Sequence, residues 1–408
     1  MNIKGFPLPT LGMLAVVVTS LGSAEAACEA NWVFKTGQPN FAAPTVQGET
    51  VYIGGGDDVV HALNARNGRV IWRYQTDGAV DATPLVTDDA VYVQGRDGLF
   101  RALDRGTGEL LWSFETAEPG PVDFWDFTLS GAVLAGDRVL FGSGSGMLYA
   151  LDAVSGELRW FFATGGAIRG TPLVVDEQVY FGSFDGWFRA LDVASGDLVW
   201  QFKTVGSTYF PEGAIQGSAT YADGVVYFGS RDYNLYALNA ETGTGHWNVR
   251  KPSWIIGPPA IDAERVYVGT SDSLTVYAID RASAEVEWKQ RVNARVFAAP
   301  RLHDDELLFG AFDGRLHALD PADGTLRWSF ATAGSREHHQ LVYADDGSWQ
   351  ESFRELFASG RGMDGERLIL QLGSIAERVV LADQTIVFAS TDGHIYALDA
   401  TACQQRLD

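Results

Sequence analysis

The sequence predicts an all-β fold: an eight-bladed β-propeller of four-stranded antiparallel blades, closed by an N-terminal strand. One unit, Gly166 to Thr204, contains four short apolar runs rich in Val, Tyr, Phe and Trp. The first three runs end at Asp-Glu, Asp-Gly or Ser-Gly turns, which is typical of strands joined by tight hairpins. The unit recurs about every 40 residues, so we expect one large domain.

A tryptophan marks the last strand of every unit, at spacings of 40, 40, 48, 40, 47, 41 and 40 residues. We expect these side chains to be structural wedges between neighbouring blades, so that removing one would cost about 3–5 kcal/mol. The eight tryptophans are Trp32, Trp72, Trp112, Trp160, Trp200, Trp247, Trp288 and Trp328.

The repeat divides residues 27–408 into eight predicted blades. The first strand of the chain completes the last blade, which removes nearly all exposed sheet edges. The predicted blades are Phe41–Thr76, Ala79–Thr116, Leu129–Thr164, Ala167–Thr204, Ala214–Lys251, Ile255–Val292, Val296–Thr332, and Ala376–Asp399 with Asn31–Thr36.

The repeat motif runs from Gly182–Gly186 through Ala190–Asp192 and Gly196 to Trp200. It resembles the tryptophan-docking repeat of the pyrroloquinoline quinone (PQQ) propeller superfamily, over the whole chain after residue 26 apart from the insertions. In size and blade count the chain is similar to the outer-membrane assembly factor BamB family. Those proteins are eight-bladed periplasmic propellers that scaffold β-barrel insertion without catalysis. The resemblance implies a scaffold with protein partners, among them components of outer-membrane assembly.

The first 26 residues, Met1–Ala26, are predicted to be a cleaved signal peptide. Lys4 precedes the apolar run Leu11–Leu21, and Ala24-Glu25-Ala26 fits the small-x-small cleavage rule. The run is too short to span a bilayer, and no later stretch is apolar enough to do so. Together with the resemblance, this segment predicts a periplasmic protein, and we expect a monomer.

The two cysteines map onto one turn position of the closing blade. Cys28 stands four residues before Trp32, and Cys403 four residues after Asp399, where complete blades have a turn glycine. We therefore expect a Cys28–Cys403 disulfide, which suits an oxidising compartment. A lipid-modified Cys28 is the alternative, but Glu25 stands where a lipoprotein signal wants an apolar residue.

Three connectors between blades are longer than the others: Glu118–Thr128, Val205–Gly213 and the 333–373 insertion. In the insertion, Ser348-x-x-Glu351 predicts a capping box at the start of one short amphipathic helix. Each connector joins an outer strand to the next inner strand, so all three should emerge on one face, where we expect function. The candidate partner contacts are Trp125, Tyr209, Phe210, Trp349 and Phe353.

The chain is strongly acidic, with 52 Asp plus Glu against 30 Lys plus Arg and a net charge of −22. This charge disfavours binding to nucleic acid and to anionic membranes. Two interpretations remain: a solvated surface tuned for solubility or a saline habitat, and a surface that attracts cationic ligands or basic partners.

Inner strands line the central channel of a propeller, and polar residues occur at aligned positions near its mouth. The candidates are Asp81, Arg169 and Gln216, with Glu377 and Arg378 in the eighth sector. They could bind a polar ligand, or they could be paired charges in a hydrated channel.

The alternative function is a PQQ-dependent oxidoreductase, because catalytic members of the superfamily hold the quinone and calcium in this funnel. The alcohol dehydrogenases among them typically carry adjacent cysteines, whereas the two cysteines here are Cys28 and Cys403. We recognise no calcium-ligand set and predict no catalytic residue. A propeller that binds a small ligand or carbohydrate is a third possibility.

The histidines offer weak metal candidates. His338 and His339 could ligate a metal together with Glu337 or the neighbouring aspartates, although adjacent histidines rarely suit one ion. His61, His317 and His394 fall at nearly the same blade position, where we expect strand-surface residues.

Overall fold

A computed structural model of the chain describes residues 28–116, 125–292 and 294–404. The described chain forms eight four-stranded antiparallel sheets, which confirms the predicted propeller. In blades 1 to 7 the strand order follows the sequence; in blade 8 the N-terminal strand takes the outer position. The predicted signal peptide lies outside the described residues.

Each blade contributes one strand at each of four radial positions. The innermost strands are β2 (Thr45–Gln47), β6 (Leu85–Val86), β10 (Ala132–Ala135), β14 (Leu173–Val175), β18 (Thr220–Ala222), β22 (Ala260–Ile261), β26 (Arg301–His303) and β30 (Val380–Ala382). The second strands are β3 (Thr50–Gly54), β7 (Ala90–Gln94), β11 (Arg138–Gly142), β15 (Gln178–Gly182), β19 (Val225–Gly229), β23 (Arg265–Gly269), β27 (Glu306–Gly310) and β31 (Thr385–Ser390).

The two outer positions carry the longer strands. The third strands are β4 (Val59–Asn64), β8 (Leu99–Asp104), β12 (Met147–Asp152), β16 (Trp187–Asp192), β20 (Asn234–Asn239), β24 (Thr275–Asp280), β28 (Arg315–Leu319) and β32 (His394–Asp399). The outermost strands are β1 (Ala30–Lys35), β5 (Val70–Gln75), β9 (Leu110–Glu115), β13 (Leu158–Ala163), β17 (Leu198–Lys203), β21 (Gly245–Arg250), β25 (Val286–Arg291) and β29 (Leu326–Ala331).

Two contacts close the ring. The N-terminal β1 pairs antiparallel with β32, with Trp32 opposite Ala397 and Lys35 opposite His394. At the centre, β2 lies against both β6 and β30, so the first and last blades are neighbours.

The repeat tryptophans join each blade to the next one. The Trp72 indole N–H donates to the Arg105 carbonyl at 2.9 Å, and its ring covers Gly108 so closely that a Cβ there would lie 2.6 Å from the ring. The indoles of Trp32, Trp112, Trp160, Trp200, Trp247 and Trp288 make the same bond, to the carbonyls of Ala65, Ala153, Val193, Ala240, Arg281 and Pro321.

The closing junction departs from this pattern at Trp328. Its indole donates instead to Glu306 at 2.8 Å, and its ring is fully buried in a cluster that contains Cys28 and Cys403. These cysteines form the expected disulfide, with a Cα–Cα distance of 4.8 Å across 375 residues of sequence. The disulfide takes the place of the turn glycine on which the other tryptophans pack.

The turn between the second and third strands repeats a short side-chain bond. His61 bonds to Asp57 at 2.9 Å and His317 to Asp313 at 3.3 Å. Both histidines are buried, so the expectation that they lie on the strand surface is wrong. They face the blade interior because the turn aspartate binds the side chain four residues later, as Asp185 binds Arg189 elsewhere.

The 333–373 insertion contains three helices where the sequence predicts one: α1 (Ala333–Val342), α2 (Glu351–Ala358) and α3 (Gly362–Gln371). The capping-box prediction is wrong, because α2 starts after Gln350 and has no side-chain cap. Ser348 instead lies in a turn, where its backbone N–H donates to Asp346 at 2.9 Å.

The last helix, α4 (Ala400–Gln404), carries Cys403. Across the described ranges, every helix is too short or too polar to cross a bilayer.

Candidate functional site

The inner strands surround a cavity of about 380 Å³ in the central channel. Its charged lining residues are Asp81, Arg169, Arg301, Glu377 and Arg378. The predicted funnel candidates therefore do line one cavity, together with Gln216 and with Arg301, which sequence reasoning did not select.

The described end of the first long connector, residues 125–128, enters this channel at its mouth. Asp126 accepts two hydrogen bonds from Arg169, at 2.7 Å to Nε and 2.5 Å to Nη2. The two side chains are 3% and 1% exposed. A pair this well matched and desolvated fixes the connector to the channel wall.

Asp81 makes a separate ion pair with Arg96. Burial raises the pKa of Asp81 although the Arg96 charge opposes the shift. Arg96 also donates to the carbonyls of Asp126 and Phe127, so it too holds the connector. Asp81 and Arg169 thus pair with other residues and not with each other.

Gln216 binds the connector from a third direction. Its amide N–H donates to the Trp125 carbonyl at 2.8 Å, and its oxygen accepts from Arg231 at 2.9 and 2.6 Å. The Arg231 guanidinium lies between the rings of Phe184 and Trp254, at 4.8 and 4.9 Å from their centroids.

Aromatic rings fill the rest of the mouth. Phe127 stacks on Phe41 at 4.7 Å and meets Phe312 at 6.2 Å, while Trp125 packs edge-on against Phe297 at 6.0 Å. Residues from opposite sides of the ring thereby meet across the channel. The chain's own connector covers this end of the channel.

The insertion helices pack over the same mouth. Glu366 on α3 accepts two hydrogen bonds from Arg295, at 2.7 and 3.1 Å, and the Arg295 guanidinium lies 4.3 Å from the Trp125 ring centroid. Burial raises the pKa of Glu366. Phe353 and Ile369 belong to the same buried cluster as Phe297, so the insertion and the channel mouth share one core.

The predicted partner contacts have unequal exposure. Tyr209 is 61% exposed, whereas Phe353 is 1% exposed and packs inside the insertion. Phe210 is half-buried against Trp254 at 4.9 Å, and Trp349 is half-buried against Phe353 at 5.3 Å.

The connectors carry further exposed apolar side chains, which the sequence analysis did not select as partner contacts. Val205 lies in the second connector, and Leu341, Phe357 and Met363 lie on α1, α2 and α3 respectively. Exposed residues on a predicted amphipathic helix cannot be told from buried ones until the face that docks is known.

The metal candidates do not assemble a site within the described residues. His338 lies 4.0 Å from Glu337, and the His339 ring stacks on Tyr343 at 4.9 Å. No group of three or more His, Cys, Asp or Glu side chains is positioned to hold a metal in the described part of the chain.

A quinone with calcium does not fit the covered mouth. Three polar groups at the mouth could contact the quinone, and each is already bonded within the chain. Asp81 pairs with Arg96, Arg169 with Asp126, and Gln216 donates to the Trp125 carbonyl. Trp125 and Phe127 occupy the space between them. We therefore derive no redox step for this site.

The sequence reasoning missed the partners that complete the site, namely Arg96, Asp126, Arg231, Arg295 and Glu366. Arg96 and Arg231 could have been found, because both precede the turn aspartate at a repeat position that faces the mouth. Asp126 is the one described carboxylate in the aromatic connector, but nothing local indicates that it pairs with Arg169.

These features define the chain as an eight-bladed propeller of the PQQ-like repeat class. The family model described as outer membrane protein assembly factor BamB matches residues 25–129, 123–214 and 210–405, and the chain belongs to this family.

Individual relatives are distant. The chain is 29% identical over 86 residues to the outer membrane protein assembly factor BamB of Moranella endobia (strain PCIT), a match over 21% of this chain and 22% of that protein. The alignment thus spans less than a quarter of the relative's length.

Two solved structures share the fold. BamB from Moraxella catarrhalis superposes with a TM-score of 0.67 at 20% identity, covering 90% of this chain and 96% of that one. The quinohemoprotein alcohol dehydrogenase from Comamonas testosteroni gives 0.69 at 14% identity, covering 93% and 78%. At these identities the likeness concerns the fold alone, and it includes both a BamB and an alcohol dehydrogenase.

Proposed function

We propose that this protein is an exported, non-catalytic scaffold that binds a protein of outer-membrane assembly through its insertion-bearing face. That face comprises residues 125–128, 205–213 and 333–373. The observation that carries the proposal is the exposed apolar surface on these connectors, which cover a channel mouth whose polar groups are already bonded within the chain.

The exposed side chains have the character of a protein contact. They are Val205, Tyr209, Leu341, Phe357 and Met363. Aromatic side chains and methionine are enriched in protein interfaces, where they bury large area with few polar groups to desolvate. Exposed apolar side chains also occur on the blades, but connectors vary most readily in a propeller, so those on the connectors favour a partner specific to this chain.

The face is held rigidly by buried ion pairs. Arg295 joins α3 to blade 7, and Arg169 joins Asp126 to blade 4. A preorganised surface loses less conformational entropy on binding, so these internal bonds support recognition without contacting the partner.

The proposal also includes export and a periplasmic location, and two features of the chain support them. The predicted signal peptide Met1–Ala26 would direct export, and the Cys28–Cys403 disulfide forms where thiols oxidise. We propose a periplasmic monomer that binds its partner by this face and has no lipid anchor at Cys28.

The proposal can be tested with charge substitutions on each face. Tyr209→Asp combined with Phe357→Asp should abolish co-purification with outer-membrane assembly proteins from solubilised envelopes. Val154→Asp is the matched control, because Val154 is 88% exposed in a turn on the opposite face. Equal recovery of the same partners with both variants would contradict the proposed face.

A further inference from the structure

Two arginines line the central cavity beside the connector residues Trp125 and Phe127. Arg301 begins the inner strand β26 of blade 7, and Arg378 lies two residues before β30 of blade 8. Both side chains line the 380 Å³ cavity, and both residues are exposed. The two residues therefore stand on neighbouring blades in the wall of one cavity, at or near the starts of the inner strands into which the connectors lead.

These arginines differ from the others that line the cavity. Arg169 is bonded to Asp126, whereas neither Arg301 nor Arg378 makes an ion pair with a described carboxylate. Desolvation and, after it, the Arg378 charge lower the pKa of Arg301, and the Arg378 charge also acts on the neighbouring Glu377. Two like charges are kept together in a chain whose net charge is −22.

We propose that the central cavity binds a small anion, with a carboxylate or phosphate group held between Arg301 and Arg378. Guanidinium groups bind both anions through paired, charge-assisted hydrogen bonds. The cavity volume falls in the range of about 300–1,000 Å³ that small-molecule sites occupy. Hydroxyl groups of Thr83 and Thr171, also on the wall, supply neutral donors.

Glu377 sets the kind of anion that the site takes. Its carboxyl group lines the same cavity beside Arg378, and above its raised pKa of about 7 its charge would repel a second negative group of the ligand. A ligand with one anionic group and a hydroxyl at its other end satisfies the arginines and Glu377 together. The class is therefore a hydroxycarboxylate or a free phosphate.

Isothermal titration of the full exported chain with lactate and, separately, with inorganic phosphate tests the site. We expect saturable binding of one ion per chain for at least one probe, and at least a tenfold loss of affinity in Arg301→Gln and Arg378→Gln. Arg69→Gln, an exposed arginine outside the channel, should bind as the parent does. The probe that binds more tightly shows whether the site prefers a hydroxycarboxylate or a free phosphate.

A second variant separates binding from folding. At pH 8, where the Glu377 carboxyl is ionised, Glu377→Gln removes the opposing charge and should tighten binding of the same probe by about tenfold. The proposal is overturned if neither probe binds saturably, or if folded Arg301→Gln and Arg378→Gln proteins keep the parent's affinity.

Discussion

Asp126 and Arg169 form a two-bonded ion pair that is almost completely buried, although Asp126 lies in a connector and Arg169 lies 43 residues further on, about one blade's worth of sequence. The pair makes the connector part of the fold, because a desolvated carboxylate has no other source of stabilisation there. The channel mouth is therefore closed by the same bonds that hold the insertion-bearing face in place.

Breaking this pair should destabilise the whole domain. Asp126→Ala or Arg169→Ala leaves one buried charge without its partner, so we expect a loss of about 3–5 kcal/mol in the free energy of unfolding in urea. Arg66→Ala, which breaks an exposed pair with Glu49, is the control and should cost about 1 kcal/mol or less. Similar losses for both pairs would show that Asp126 is not held as described.

The contact between Trp160 and Gly196 can be tested with a substitution matched for backbone strain. Gly196→Ala places a Cβ 2.7 Å from the Trp160 ring at a φ of +76°. Gly136→Ala meets nothing within 4 Å at a φ of +61°. We expect Gly196→Ala to cost about 1–3 kcal/mol more than Gly136→Ala, measured by urea unfolding. An equal loss of stability in the two variants would mean that the Trp160 ring moves aside without an energetic cost.

The disulfide should stabilise the closed ring. Cys28→Ser with Cys403→Ser frees a loop of 375 residues, which in the chain-entropy model costs about 5–6 kcal/mol. The double variant should melt well below the oxidised parent and at the same temperature as the reduced parent. A variant that melts with the oxidised parent would show that β1 holds the ring closed unaided.

Stability should depend on pH through Glu377. Desolvation raises the pKa of Glu377 from 4.5 to about 7. The folded state therefore holds a proton that the unfolded state has lost, and this stabilisation disappears as the pH rises through about 7. Between about pH 5.5 and 8 the parent should lose about 1–2 kcal/mol relative to Glu377→Gln.

The control for this measurement is Glu355→Gln, on the exposed side of α2. Its difference from the parent should be the same at both pH values. A constant difference for Glu377→Gln as well would contradict the desolvation of the Glu377 carboxyl group in the channel wall.

The propeller could be predicted from the sequence because its determinants are local and repeated. Each tryptophan and each turn glycine recurs at a fixed offset, as Trp72 and Gly108 do, so one unit explains the others. The Cys28–Cys403 pairing followed from the same offsets, since both residues fall on the turn position of one incomplete blade.

The covered mouth could not be predicted in the same way. The bonds of Asp126 to Arg169 and of Arg295 to Glu366 join segments that do not repeat and lie 43 and 71 residues apart. The position of Arg169 at the mouth could be predicted from the repeat, but its partner Asp126 could not. The same reason explains Phe353, which was expected on the surface although it packs in the core of the insertion.

Site-specific photo-cross-linking tests the insertion-bearing face most directly. A photoreactive residue would replace Tyr209, Leu341, Phe357 or Met363 in the exported protein, with Val154 as the matched position on the opposite face. We predict adducts with an outer-membrane assembly protein from the four connector positions and none from Val154. Adducts with that protein from Val154 alone, or from no position, would contradict the central claim.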